Sequence, residues 1–113
     1  GGITKAVEVV KKRNTLGLSI EVETRTLDEV HEAARAGVDR IMLDNMTVEQ
    51  MKTAVDIIRN HCVGPTPEIE ASGDVNLRTV ASIAATGVDF ISVGALTHSS
   101  GILNLSMLIE ASD

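Results

Sequence analysis

The chain has 113 residues and a formal net charge of −6, with 43% hydrophobic and 23% charged residues, enough apolar side chain for one folded core. One cysteine excludes a disulfide framework or a Cys-based zinc site and suits a reducing, cytoplasmic setting. An acidic balance with a single phenylalanine and no tyrosine or tryptophan argues against nucleic acid, and no apolar run approaches the roughly 20 residues of a membrane helix.

In chain order, a helix is predicted over Thr4 to Lys12, then a strand over 20–23. The next helix carries Leu27, Val30, Ala33 and Ala34 on one face, opened by a Thr26/Glu29 capping box. A strand over 40–44 follows. The third helix carries Met51, Ala54, Val55 and Ile58 behind Thr47 and Gln50, the same capping signature. The stretch from His61 to Pro67 holds both prolines and reads as a loop. A strand over 68–72, a helix with Leu77, Val80, Ile83 and Ala84 behind Asn76 as N-cap, and a strand over 90–94 come next. Gly37 and Gly87 stand where helix C-caps are needed. A last helix is expected from Leu103 to Ile109.

The chain contains an internal repeat. Ile20-Glu21-Val22-Glu23 matches Ile69-Glu70-Ala71-Ser72 at an offset of 49, and Ala36-Gly37-Val38-Asp39-Arg40-Ile41 matches Thr86-Gly87-Val88-Asp89-Phe90-Ile91 at an offset of 50. Each copy reads as strand, helix, strand. Strands alternating with helices imply a parallel sheet, and their spacing suits a TIM-type (βα) barrel. A complete barrel takes about 250 residues, so four strands make half of one. Residues 1–113 are therefore expected to be the C-terminal part of an α/β barrel whose earlier strands lie elsewhere.

Alternation along the strands separates two faces. Ile20, Val22, Ile41, Leu43, Ile69, Ala71, Ile91 and Val93 form an apolar face for the helices. Glu21, Glu23, Met42, Asp44, Glu70, Ser72, Ser92 and Gly94 form the other. An antiparallel sheet with one wet face would need no function for those polar residues, but the intervening helices favour covered parallel strands. Glu23, Asp44, Ser72-Gly73 and Gly94 fall at C-terminal strand ends, where barrel enzymes place their sites. Two or three carboxylates joined by substrate oxygens make a Mg²⁺ environment. Small residues in Ser72-Gly73-Asp74 and Gly94-Ala95-Leu96-Thr97-His98-Ser99 let backbone N–H groups approach a phosphate. His31 reads as a solvated helix residue, nothing pairs with His61 and Cys62 to suggest nucleophilic catalysis, and Lys11-Lys12-Arg13 reads as a helix end.

Ile20-Glu21-Val22-Glu23-Thr24, Ile41-Met42-Leu43-Asp44-Asn45-Met46, Glu70-Ala71-Ser72-Gly73 and Ser92-Val93-Gly94-Ala95-Leu96-Thr97-His98-Ser99 together resemble the motifs of quinolinate phosphoribosyltransferases. The resemblance runs through essentially the whole chain. It implies transfer of phosphoribose from phosphoribosyl pyrophosphate to quinolinate with decarboxylation, giving nicotinate mononucleotide for NAD synthesis. It implies Mg²⁺, an open barrel beside an N-terminal sandwich domain, and assembly as homodimers or hexamers. By the same resemblance, Glu23 and Asp44 are the catalytic and metal-binding acids near the ribose. Ser72, Gly73, Asp74, Gly94, Ala95 and Leu96 fall to phosphate or substrate binding, and His98 to the site edge. Quinolinate-binding arginines and lysines would lie upstream of Gly1, Arg25 and Arg40 being the nearest inward cations here and neither well placed. Asp74 departs from the usual glycine or asparagine, and Asn104 from the usual aspartate. The rival readings are the related molybdenum-operon protein, another phosphate-binding barrel, and a non-catalytic half-barrel that pairs with itself.

Overall fold

The computed structural model describes residues 2–14, 16–73 and 78–92. The elements are α1 (Gly2–Arg13), β1 (Glu21–Thr24), α2 (Leu27–Arg35), β2 (Arg40–Asp44), α3 (Val48–His61), β3 (Glu68–Ser72), α4 (Val80–Ala84) and β4 (Phe90–Ile91). The strands form one parallel sheet in sequence order, β1-β2-β3-β4. The expected parallel βα pattern is therefore present. The register sets Glu21 opposite Arg40, Glu23 opposite Met42, and Asp44 opposite Ser72.

Local chemistry explains the boundaries. Thr26 accepts from Glu29 N at 3.2 Å while Glu29 Oε1 accepts from Thr26 N at 3.2 Å, closing a capping box at α2. Thr47 and Gln50 repeat it at α3 with distances of 3.1 and 2.9 Å. α4 begins at Val80 with Thr79 at its N-cap position and no side-chain capping bond. It therefore starts later than the periodicity predicts; the proposed cap Asn76, and Leu77, lie outside the described residues. So do Asp74 and everything from Val93 onward, which includes Gly94, Ala95, Leu96, His98, Asn104 and the expected last helix.

The apolar face of the sheet and the helices share one core. Ile41, Leu43 and Ile58 have no exposed surface, and Ile69 has 1%. Thr24 is the polar member of that face. Wholly buried, it donates from Oγ1 to Met42 O at 2.8 Å, which removes the penalty of enclosing a hydroxyl. α1 is tied to α2 through Glu32, whose Oε2 accepts from Thr4 N at 3.0 Å and Thr4 Oγ1 at 2.9 Å.

The internal repeat is structural as well as sequential. Asp39 Oδ2 accepts from Ile20 N at 2.7 Å, and Asp89 Oδ2 accepts from Ile69 N at 2.9 Å. In the same pairs Asp39 N donates to Ile20 O at 2.9 Å, and Asp89 N to Ile69 O at 2.8 Å. The aspartate of each Gly-Val-Asp thus clamps the base of the preceding strand. The first helix of each unit also sends a cation to the turn after the second. Lys11 Nζ donates to Ala36 O at 2.9 Å, and Arg59 Nη2 to Gly87 O at 2.7 Å, where helix-end carbonyls favour positive charge. α1-β1-α2-β2 and α3-β3-α4-β4 are two copies of one unit.

Candidate active site

The sheet face opposite the helices carries the polar residues of β1, β2 and β3 apart from Thr24. Register and alternation place Glu21 and Glu23, Arg40, Met42 and Asp44, Glu68, Glu70 and Ser72, and Phe90 on it. These groups form two levels.

The upper level lies at the C-terminal strand ends. Glu23 and Asp44 are on the same face, with side chains 32% and 24% exposed. Arg25, in the loop leaving β1, spans them: Nη2 lies 3.4 Å from Glu23 Oε1, and Nε lies 3.2 Å from Asp44 Oδ2. Arg25 is thus engaged with carboxylates of the rim. It offsets part of the charge of the acidic pair, and with 73% of its side chain exposed it is free of packing that would hold it there.

Ser72 sits beside Asp44 in register, and Ser72 O accepts from Asn45 N at 3.0 Å. Gly73 follows with φ of +115°, a conformation open to glycine and strained for other residues. A Cβ on Gly73 would stand 2.9 Å from Asn45 N and 3.0 Å from Asn45 Cα. The β2 and β3 ends are therefore in backbone contact, with Asn45 itself at φ of 55°. That close approach holds the loops after Asp44 and Ser72 side by side.

The lower level is a charge network. Arg40 reaches Glu68 Oε1 from Nη2 at 3.0 Å and Glu70 Oε1 from Nη1 at 3.5 Å, and its guanidinium lies 4.3 Å from the Phe90 ring centroid. This contact suits cation–π attraction. Ser92 Oγ donates to Glu70 Oε2. Arg40 is thus committed to the carboxylates of β3, which explains why it is not offered to the upper level. Glu21 is 5% exposed, and neither of its carboxylate oxygens has a hydrogen-bond partner among the described residues. Burial pushes its carboxyl up to about 8; the charge of Glu70, and a hydrogen bond to Glu70 once Glu21 is protonated, act in the same direction, against Arg40.

Among the described residues no three His, Cys, Asp or Glu side chains cluster as a metal-binding group. Glu23 and Asp44 are two. Mg²⁺ is commonly held by one or two carboxylates, with water and substrate oxygens completing its shell, so this pair fits a substrate-completed Mg²⁺ site rather than an all-protein one.

The parallel βα sheet belongs to a known family of domains. Residues 1–108 match the quinolinate phosphoribosyl transferase C-terminal domain. The chain belongs to that family. It is 50% identical over 109 residues to a probable carboxylating nicotinate-nucleotide pyrophosphorylase of Synechocystis sp., covering 96% of this chain and 36% of that protein. It is 41% identical over 128 residues to a decarboxylating quinolinate phosphoribosyltransferase of Nicotiana tabacum, covering 97% and 35%. The nicotinate-nucleotide pyrophosphorylase structure from Francisella tularensis superposes with a TM-score of 0.73 at 42% identity, over 85% of this chain and 33% of that one. The chain thus spans about a third of the length of these relatives, and its fold is a portion of the family's C-terminal barrel domain. Related proteins include forms described as chloroplastic, in Arabidopsis thaliana, and mitochondrial, in Nicotiana tabacum. No helix among the described residues is long and apolar enough to cross a membrane.

Sequence reasoning put Glu23 and Asp44 on one strand face, where the register also places them, and did not anticipate the side-chain contacts of Arg25 and Arg40. Arg25 follows the Glu23-Thr24 strand end directly, a position that foreshadows a rim cation. The Arg40–Glu70 pair needs the β2–β3 register, which the sequence does not print.

Proposed function

We propose that this chain forms the phosphoribosyl side of a quinolinate phosphoribosyltransferase site. The observation that carries the reading is the Glu23–Asp44 pair on one sheet face at adjacent C-terminal strand ends, next to the Ser72-Gly73 turn. Phosphoribosyl transfer develops positive charge on the ribose as pyrophosphate departs, and fixed carboxylates stabilise such charge without reorganising. Glu23 and Asp44 receive the ribose hydroxyls and face the developing cation. Ser72 and Gly73 present backbone to the phosphate, a role extended by the family resemblance to Asp74, Gly94, Ala95, Leu96 and His98. Glu23 and Asp44 would also hold Mg²⁺, which when bound would offset the diphosphate charge and assist its departure.

Arg25 acts as a resident counter-ion. It bridges the two neighbouring acids before the ligand arrives, and its exposed side chain yields to the incoming metal complex. The acceptor is quinolinate, a dicarboxylate. Its capture needs cations that face the site, and Arg25 and Arg40 are already paired with carboxylates. Quinolinate binding is therefore assigned to residues other than those described, and the 113-residue chain alone is expected to form no nicotinate mononucleotide. By the same family resemblance, the working enzyme is a homodimer or hexamer.

Isothermal titration of the chain with phosphoribosyl pyrophosphate, with and without Mg²⁺, tests this. The reading expects Mg²⁺-dependent binding that is lost in Glu23→Gln and Asp44→Asn. Binding that survives both substitutions would refute it.

A further inference from the structure

α2 and α3 each carry one histidine, and their packing brings the two together. His31 stands in the middle of α2, and His61 is the last residue of α3. Their ring centroids are 5.4 Å apart and the ring planes are inclined at 49°. Both residues are exposed to solvent, and neither ring has a hydrogen-bond partner among the described residues. The pair is remote from the Glu23–Asp44 rim. α3 starts four residues after Asp44, and His61 is its fourteenth residue, about 20 Å along the helix axis.

The backbone fixes this meeting. Val30, Ala33 and Ala34 of α2 and Ala54, Ile57 and Ile58 of α3 are buried in one core, so the two helices cannot slide. The turn after His61 is tied to both: Cys62 N donates to Ile58 O at 3.1 Å, and Val63 N donates to Ala34 O at 3.2 Å. The neighbouring groups are otherwise engaged. Glu32 accepts from Thr4, and Cys62 Sγ turns toward Gly64 O at 3.9 Å and Thr66 Oγ1 at 3.7 Å. Asp28 and Arg35 line the open hollow beside His31.

We propose that His31 and His61 form a two-histidine site for a divalent transition-metal ion of the zinc class, with water completing its shell. The ring spacing fits such an ion. An imidazole nitrogen bound to zinc at about 2.0–2.1 Å places its ring centre about 3.2 Å from the metal. Two ring centres 5.4 Å apart then subtend about 115° at the ion, close to the tetrahedral angle zinc prefers. Among the described residues no third His, Cys, Asp or Glu joins them, so the site is an open, exchangeable one and not a closed structural centre. Neutral imidazole suits Zn²⁺, Ni²⁺ and Cu²⁺, whereas Mg²⁺ takes oxygen ligands and Mn²⁺ stands at the weak end of the series. The chain therefore sorts metals by ligand: carboxylates at the strand ends, imidazoles on the helices. A metal held here pins the end of α3 to α2 and stabilises the folded chain by mass action. This inference rests on the packing of α2 against α3 and does not depend on the proposed activity.

The probe is Zn²⁺ alone, added to the chain with ¹⁵N-labelled histidine in excess Mg²⁺, which occupies the oxygen rim. The ring nitrogens are followed by NMR. The resonances of His31 and His61 should move together and saturate at one zinc per chain. His31→Gln and His61→Gln lie at exposed positions where folding tolerates substitution, and each should weaken binding on the order of tenfold or more. Cys62→Ser should leave the affinity unchanged. Movement confined to one ring or to His98 would overturn the proposal, as would unchanged affinity in either histidine variant. Loss of binding in Cys62→Ser would overturn it too, by moving the metal to the thiol.

Discussion

Gly73→Ala is the sharpest perturbation of the strand-end architecture. At φ of +115° an alanine carries backbone strain of about 1–3 kcal/mol. Its methyl would also stand 2.9 Å from Asn45 N and 3.0 Å from Asn45 Cα, both backbone atoms that cannot rotate away. Relief requires the β2 and β3 ends to separate, which gives up the 3.0 Å Asn45 N to Ser72 O bond, worth about 0.5–1.5 kcal/mol net. The expected loss is about 2–4 kcal/mol. Gly64→Ala is the control: its φ is +77°, and nothing lies within 4 Å of the added carbon, so only strain of about 1–2 kcal/mol applies. Urea unfolding of both variants measures the difference. With a slope of about 1.5 kcal/mol/M, Gly73→Ala should lower the midpoint by roughly 1.3–2.7 M, about twice the control. Equal shifts in the two variants would refute the claimed backbone contact.

Stability should fall as pH rises between the ordinary carboxyl value of 4.5 and about 8, because unfolded Glu21 releases its proton through that window while folded Glu21 keeps it. The contribution is on the order of 1 kcal/mol per pH unit, flat below and above the window; thermal melts of Glu21→Gln should lack it, and an unchanged pH profile in the variant would contradict the burial of that carboxyl. Arg25→Ala removes the counter-ion shared by Glu23 and Asp44 and should tighten Mg²⁺ binding several-fold by calorimetry; weaker binding would mean that the arginine helps rather than competes. Thr47→Ala should cost about 1 kcal/mol of stability by urea melts through loss of the α3 capping box, and no loss would argue against that cap.

Most of the architecture was legible because it rests on local rules. The Thr26/Glu29 and Thr47/Gln50 boxes mark helix starts through contacts three residues apart, and the Ile41–Leu43 and Ile69–Ala71 alternation marks the buried face. The repeat was visible because the Asp39 and Asp89 clamps recur at nearly one spacing. The placement of Glu23 and Asp44 on one face also followed, since strand alternation and a parallel sheet leave them no other side. What stayed hidden depends on register and long side chains. Arg25 reaches across to β2, and Arg40 reaches forward along β3; each uses a flexible stem whose direction no periodicity encodes. Gly73 was read as a place for phosphate approach, and the structure adds a second reason for glycine there, the Asn45 backbone.

The central claim is that Glu23 and Asp44 form one cation-and-phosphoribosyl site with the Ser72-Gly73 turn. Mn²⁺ in place of Mg²⁺, added to the ¹⁵N-labelled chain with phosphoribosyl pyrophosphate, broadens resonances steeply with proximity. The account predicts loss of signal first at Glu23, Asp44, Ser72 and Gly73, with the outer faces of α2 and α3 unaffected. Broadening centred on those helices, or none at the strand ends, would contradict it.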